Sequence, residues 1–273
     1  MTDNTVCVGC IGGSGSRVVA KILQSFGYFI GDDLNQEMDN LSFTLLFKRP
    51  SVLIESFESI NFLYLNFHHR MKYGNLKFDE IKDVLIRLSH RDRIIHGAAW
   101  LTARMDSFVH ERQYAVDKMA WKEPNTHVVV EHFLNIDPNL RYIHITRSGL
   151  DMAYSANLTQ LRLWGSIFLD RPVELGPRDA LSYWAAVERR MRNLKKIHPD
   201  RILIINYEDL ALRPHEVISK IRHFCGESDT LPAMDIAEIV VPADSIGRHK
   251  SQDLSVLLKQ DVEYARAISA GDA

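Results

Sequence analysis

The chain is predicted to be an α/β protein of three layers, a central parallel sheet flanked by helices, with a helical insertion. Three observations predict it. Short, near-continuously apolar runs recur at residues 6–11, around 119–122, at 142–146 and at 202–206, the pattern of strands buried on both faces. Long stretches of helical periodicity separate these runs. The first run also passes through Gly12-Gly13-Ser14-Gly15-Ser16-Arg17 straight into the helical pattern Val18-Val19-Ala20-Lys21-Ile22-Leu23, the strand–turn–helix order of a parallel unit.

Between the first two strands the sequence sketches helices. Ile54, Phe57, Glu58, Phe62 and Leu65 share one spacing, Ile81, Val84, Leu85 and Leu88 another, and a third helix is expected from about Arg93 towards Tyr114. The stretch 40–117 reads as a helical insertion, which forms a lid or the acceptor side of a site or else simply adds core. Later helices are expected at 128–134, 150–161, 180–198 and 215–224. Pro214 sits at a helix start, where its missing N–H costs little, and the tail from Ser251 reads as helical. A length of 273 residues suits one domain, 1–273.

Hydrophobic residues make up 46% and charged residues 25%, ordinary for a globular chain. A formal net charge of -2 argues against nucleic acid as a partner held by a global positive field. No apolar run approaches the ~20 residues that cross a bilayer, and Met1-Thr2-Asp3-Asn4 shows no signal-peptide flank. Cys7, Cys10 and Cys225 complete no zinc set, so no metal is expected, and Cys7 and Cys10 read as small buried residues. A cytoplasmic setting fits.

The glycine-rich turn carries chemistry. Glycines let bare N–H groups approach a ligand, and the unpaired amides and dipole of the following helix favour an anion at the same spot. Ser14 and Ser16 add hydroxyls and Arg17 a forked cation. The turn lacks the lysine of a nucleoside-triphosphate loop and does not match the dinucleotide fingerprint. The third strand ends in Arg147, where ligands of parallel sheets gather, and Ser155 follows eight residues on, within the expected next helix.

These residues resemble the sulfotransferases that use 3′-phosphoadenosine 5′-phosphosulfate (PAPS). Gly12 to Arg17 is similar to that family's 5′-phosphosulfate loop, and Arg147 with Ser155 to its 3′-phosphate pair. The segment 202–210, ending Asn206-Tyr207-Glu208-Asp209-Leu210, looks like its strand and acidic tripeptide. Trp121-Lys122-Glu123-Pro124 is similar to its lysine-x-proline element, and Gly247-Arg248-His249-Lys250 to its late basic loop. The resemblance implies a P-loop-like fold and a donor site of Gly12, Gly13, Ser14, Gly15, Ser16, Arg17, Arg147, Ser155, Tyr207, Arg248 and Lys250. It implies PAPS as donor and adenosine 3′,5′-bisphosphate (PAP) as product. The acceptor would be a hydroxyl or amine of a small molecule, glycan or lipid. One departure stands out: most members carry lysine or arginine where this chain has Gly13, whereas Arg17 matches the heparan-type loop.

Sulfuryl transfer, like phosphoryl transfer, needs positive charge where negative charge grows. Lys122 is the candidate cation, unless Glu123 beside it ties it up. The general base is sought in the acidic segment 31–39, where relatives of the heparan and tyrosyl-protein types carry a glutamate: Glu37 and Asp39 first, Asp33 next. His68, His69 and His96 and the tryptophans Trp100, Trp121, Trp164 and Trp184 read as structural. Two alternatives stay open, an atypical P-loop kinase and a catalytically silent nucleotide-binding protein.

Overall fold

The computed structural model describes residues 4–89, 95–228, 240 and 243–271. Four strands, β1 (Asn4–Cys10), β2 (Lys118–Lys122), β3 (Leu140–Thr146) and β4 (Ile202–Asn206), form a parallel sheet in the order β2-β1-β3-β4. Each coincides with a run expected from sequence. The register sets Val8 beside Lys122 and Ile143, and Thr146 beside Asn206. All four carboxyl ends therefore open on one edge, where Gly12, Glu123, Arg147 and Tyr207 follow.

Both faces of the sheet are covered. On one face Val19, Ile22 and Leu23 of α1 (Ser16–Ser25) and Val217, Ile218 and Ile221 of α11 (Pro214–Cys225) pack with Val6, Val8 and Cys10. On the other, Cys7 and Trp121 meet Val130 and Phe133 of α6 (Thr126–Ile136) and Val187 and Met191 of α9 (Pro177–Ile197). Cys7 and Cys10 are three apart on a strand and so face opposite sides. They cannot act as a thiol pair. Burial pushes the Cys10 thiol up to about 11, further from the reactive thiolate.

The insertion contains α2 (Leu41–Phe47), a 3-10 turn Pro50–Ile54, α3 (Phe57–Tyr73), α4 (Ile81–Ser89) and α5 (Ala98–Val109). The helix expected over 93–114 is present as α5; the stretch at Arg93 lies outside the described residues. The sequence reading missed α2, whose Asn40 cap accepts the Phe43 N–H at 2.9 Å. Ile54 was expected on the helix of Phe57 and Phe62, but it ends the 3-10 turn and is exposed. Phe43, Phe47, Phe67, Trp121 and Phe133 interlock, with Phe47–Phe133 and Phe67–Trp121 centroids 5.0 and 5.1 Å apart, so the inner insertion is continuous with the core.

The expected helix over 150–161 is two. Here α7 (Gly149–Ala153) ends before Ser155, and α8 (Thr159–Leu169) starts anew after an Asn157 turn whose side chain accepts the Thr159 N–H at 3.2 Å. Ser155 thus lies beyond a helix end, not two turns inside one. The tail likewise starts irregularly: a 3-10 turn ends at Ser251 and a second spans Leu254–Val256 before a helix at Lys259–Ala270. Among the described residues no helix is long and apolar enough to cross a membrane.

Candidate donor and transfer site

After β1 the chain turns, with the Ser14 N–H on the Ile11 carbonyl at 3.1 Å and the Val18 N–H on that of Gly15 at 3.0 Å. Gly15 caps α1 with φ 85°. A Cβ there would lie 2.3 Å from Cδ2 of Tyr207, whose ring supports the turn from below. Gln160, on α8, pins the other end: its Nε2 donates to the Cys10 carbonyl at 3.2 Å and its Oε1 accepts the Gly12 N–H at 3.0 Å. No sequence signal pointed to Gln160.

The first turn of α1 carries no acidic residue and no side-chain cap. Among the described residues no acceptor meets the N–H groups of Gly13, Gly15, Ser16 and Arg17, so the helix start is an open anion cradle. Ser14 is turned inward, its hydroxyl 4.0 Å from the Met152 sulfur, and Ser16 lays its hydroxyl on the Cys10 thiol. Gly13 has φ 95°, and a Cβ there would meet only Met152 Cε at 3.8 Å and Ser155 Oγ at 3.9 Å. Space for a side chain exists at 13, but the left-handed backbone costs any L residue roughly 1–2 kcal/mol. That is a physical reason for glycine in place of the usual cation.

The cradle opens into a cleft of about 590 Å³ that also exposes Glu37, Asp39, Lys122, Arg147 and Asn157. All three transfer candidates therefore share one place. Lys122, 3% exposed, ion-pairs with Asp39 and donates to the Glu37 carbonyl at 2.9 Å. Glu37 reaches Arg17 at 2.9 Å. Asn35 shapes this turn by accepting the N–H groups of Glu37 and Asp39 at 3.0 and 2.8 Å. Asp33 ion-pairs with Arg104 on α5 and Asp32 with Arg70 at 3.0 Å, so Asp33 is held by the insertion, away from Lys122. Glu123 turns from Lys122 to Lys48, 3.1 Å away, and leaves Lys122 to the cleft. Burial works against the charged Lys48, but Glu123 more than offsets it and raises the pKa.

Arg147, largely buried, reaches the cleft and braces the turn. Its guanidinium donates to the Gly13 carbonyl at 2.9 Å and to Ser245 Oγ at 2.7 Å, and sits 5.0 Å from the Tyr207 ring centroid. Ser155 is close to Gly13, its Oγ 3.9 Å from where a Cβ there would stand. Arg248 donates to the Tyr154 carbonyl at 3.2 Å, and the Lys250 chain folds back over Gly247; neither is among the residues that line the cleft. Asp151 holds their loop: it accepts the Gly247 N–H at 2.7 Å and the His249 N–H at 3.0 Å, and meets His249 Nδ1 at 2.6 Å. Burial opposes its charge, but these donors outweigh that and lower its pKa.

Beside Lys122 the Pro124 carbonyl accepts the Cys10 N–H at 3.0 Å and sits 2.8 Å from His127 Nδ1. A carbonyl only accepts, so Nδ1 bears the proton and Nε2 accepts from the Tyr183 hydroxyl at 3.2 Å. Burial, aided by His144 and Arg190, drives the His127 pKa down to about 3. The unfolded chain therefore takes up this proton first. The contribution is complete above the ordinary value near 6.5 and fades as pH falls towards 3, at about 1.4 kcal/mol per pH unit. His127→Asn should flatten the melting-temperature profile between pH 6 and pH 4; an unchanged slope would show that other groups set it.

A strand-end glycine turn with an open helix start faces a lysine–carboxylate pair across one cleft at the carboxyl edge of an α/β sheet. A sulfotransferase family model matches residues 6–230, and the chain belongs to that family. The sulfotransferase domain of the Synechococcus PCC 7002 olefin synthase has a similar fold, with a TM-score of 0.50 at 15% identity, covering 98% of this chain and 95% of that one. A sulfotransferase domain from the curacin biosynthetic pathway gives 0.48 at 12%, covering 100% and 99%. A sulfotransferase from Alicyclobacillus acidocaldarius gives 0.47 at 14%, covering 98% and 96%. No curated protein matches the chain.

Proposed function

We propose that this chain moves a sulfuryl group from PAPS to a hydroxyl or amine of a small-molecule, glycan or lipid acceptor. The observation that carries the reading is the open amides at Gly13 and 15–17 facing the Lys122–Asp39 pair across one cleft. The residues fit such a donor: four free N–H groups and Arg17 suit a 5′-phosphosulfate. Arg147, joined by Ser155, Arg248 and Lys250, is assigned the 3′-phosphate, and Tyr207 orders the turn. In the transfer the acceptor oxygen or nitrogen bonds to sulfur as the sulfur–oxygen bond to the 5′-phosphate breaks. Asp39 takes the acceptor's proton, with Glu37 as the neighbouring carboxylate, and Lys122 offsets the charge that grows on the leaving oxygen. On this reading 1–273 is one catalytic domain whose 40–117 insertion forms the acceptor side. We place it in the cytoplasm, where reduced cysteines such as the buried Cys7 and Cys10 persist.

Calorimetry tests the donor end. PAP should bind about 10–100-fold more tightly than the 3′-hydroxyl nucleotide adenosine 5′-monophosphate, the worth of one or two charge-assisted bonds. Equal affinity, or a preference for a nucleoside triphosphate, would overturn the assignment.

A further inference from the structure

The glycine loop spends two of its amides within the protein: the Ser14 N–H bonds the Ile11 carbonyl at 3.1 Å and the Gly12 N–H bonds Gln160 Oε1 at 3.0 Å. Arg17 and Lys122 meet carboxylates. Another side chain lines the same cleft, and no step of the proposed transfer uses it. Asn157 is exposed and stands in the turn between α7 and α8. Its amide is oriented: a main-chain N–H only donates, so Oδ1 is the atom that faces the Thr159 N–H at 3.2 Å. Nδ2 then turns to the loop, 3.1 Å from where a Cβ on Gly12 would stand. Among the described residues no acceptor meets Nδ2.

Gly12 agrees from the other side. Its φ lies outside the left-handed region that Gly13 and Gly15 occupy, so the backbone alone does not ask for glycine there. What a side chain at 12 would press on is the Asn157 amide. The bare Cα keeps that amide against the loop. The turn that carries Asn157 is also tied at both ends. Its N–H donates to Ser155 Oγ at 3.2 Å, and Gln160, three residues on, donates to the Cys10 carbonyl at 3.2 Å. A donor held in this way loses little freedom when it binds.

We propose that Asn157 Nδ2 donates to a 5′-phosphate oxygen of the donor, beside the Gly12 N–H that Gln160 withholds. The inference rests on the donor reading above and adds a binding residue to it. A neutral amide attracts no carboxylate of the protein, so it reaches the anion with no ion pair to break. Its bond to a charged oxygen is stronger than one between neutral groups. Because Ser155 Oγ accepts the Asn157 N–H, the Ser155 proton is left for the 3′-phosphate assigned to it. One turn, 155–157, thus serves both ends of a single nucleotide.

The test compares PAP with adenosine 3′-monophosphate, which lacks the 5′ group, by calorimetry on the full chain. Asn157→Ser and Asn157→Asp each keep an oxygen for the Thr159 N–H and the main-chain bond to Ser155, and each removes the amide donor. PAP affinity should fall about tenfold in Asn157→Ser and about a hundredfold in Asn157→Asp, where a carboxylate faces the phosphate. Adenosine 3′-monophosphate should bind Asn157→Ser as it binds the unaltered chain. A collapsed turn would weaken both nucleotides together, so the comparison reads a contact and not a fold. Equal loss for the two nucleotides overturns the proposal. PAP affinity that survives both substitutions overturns it too, and leaves the donor assignment standing. Failure of the unaltered chain to bind PAP is a different result, which removes that assignment and this proposal with it.

Discussion

Lys122→Ala should lower the rate of sulfuryl transfer by about a hundred- to a thousandfold, the effect of removing one aimed positive group from a transition state. PAP binding should change little, because the cradle of α1 and Arg147 do not depend on Lys122 for their contacts. The variant also strips Asp39 of its cation, so loss of activity alone is ambiguous. Two companions resolve it. Lys122→Arg keeps a charge and should retain part of the rate. Asp39→Asn keeps a polar partner for Lys122 but removes the base, and should flatten the acidic limb of the pH–rate profile. Turnover of Lys122→Ala equal to that of the unaltered chain would remove the lysine from the mechanism.

Gly15→Ala should be strongly destabilising. It forces a methyl to 2.3 Å from a carbon of the Tyr207 ring at a φ of 85°. The left-handed backbone costs roughly 1–2 kcal/mol and the overpacking roughly 1–3 kcal/mol. A total near 3 kcal/mol lowers the melting temperature of a chain this size by about 10 °C. Tyr207 cannot step aside, because its hydroxyl accepts the Ala243 N–H at 3.1 Å and its ring faces Arg147. Thermal unfolding checks the stability and PAP calorimetry the cradle; a loss of only a degree or two would mean the ring yields.

All four strands and the glycine turn were legible in the sequence because their signals are local: apolar runs for buried parallel strands, glycine for left-handed backbone. The grouping of Lys122, Glu37 and Asp39 was legible only through the family resemblance, since nothing in their spacing brings β2 beside the acidic stretch. Gln160 and Asp151 escaped notice for the same reason, as their partners are 148 and 96 residues away in sequence. The break at 154–158 was missed because Leu150, Leu158 and Leu161 keep an apolar rhythm across a turn capped by Asn157. Ser14 shows the limit of motif reading. It stands in the loop, yet its hydroxyl serves Met152 and not the cleft.

The acidic stretch holds a consequence for encounter kinetics. Each of Asp32, Asp33, Glu37 and Asp39 meets a basic partner, and two of those partners, Arg17 and Lys122, belong to the cleft itself. Seen from a Debye length away, those carboxylates cancel Arg17 and Lys122 and leave Arg147 to attract an incoming polyanion. Contact then exchanges carboxylate for phosphate on the first two cations, so the speed of capture should fall less with salt than at a mouth whose three cations were all uncompensated.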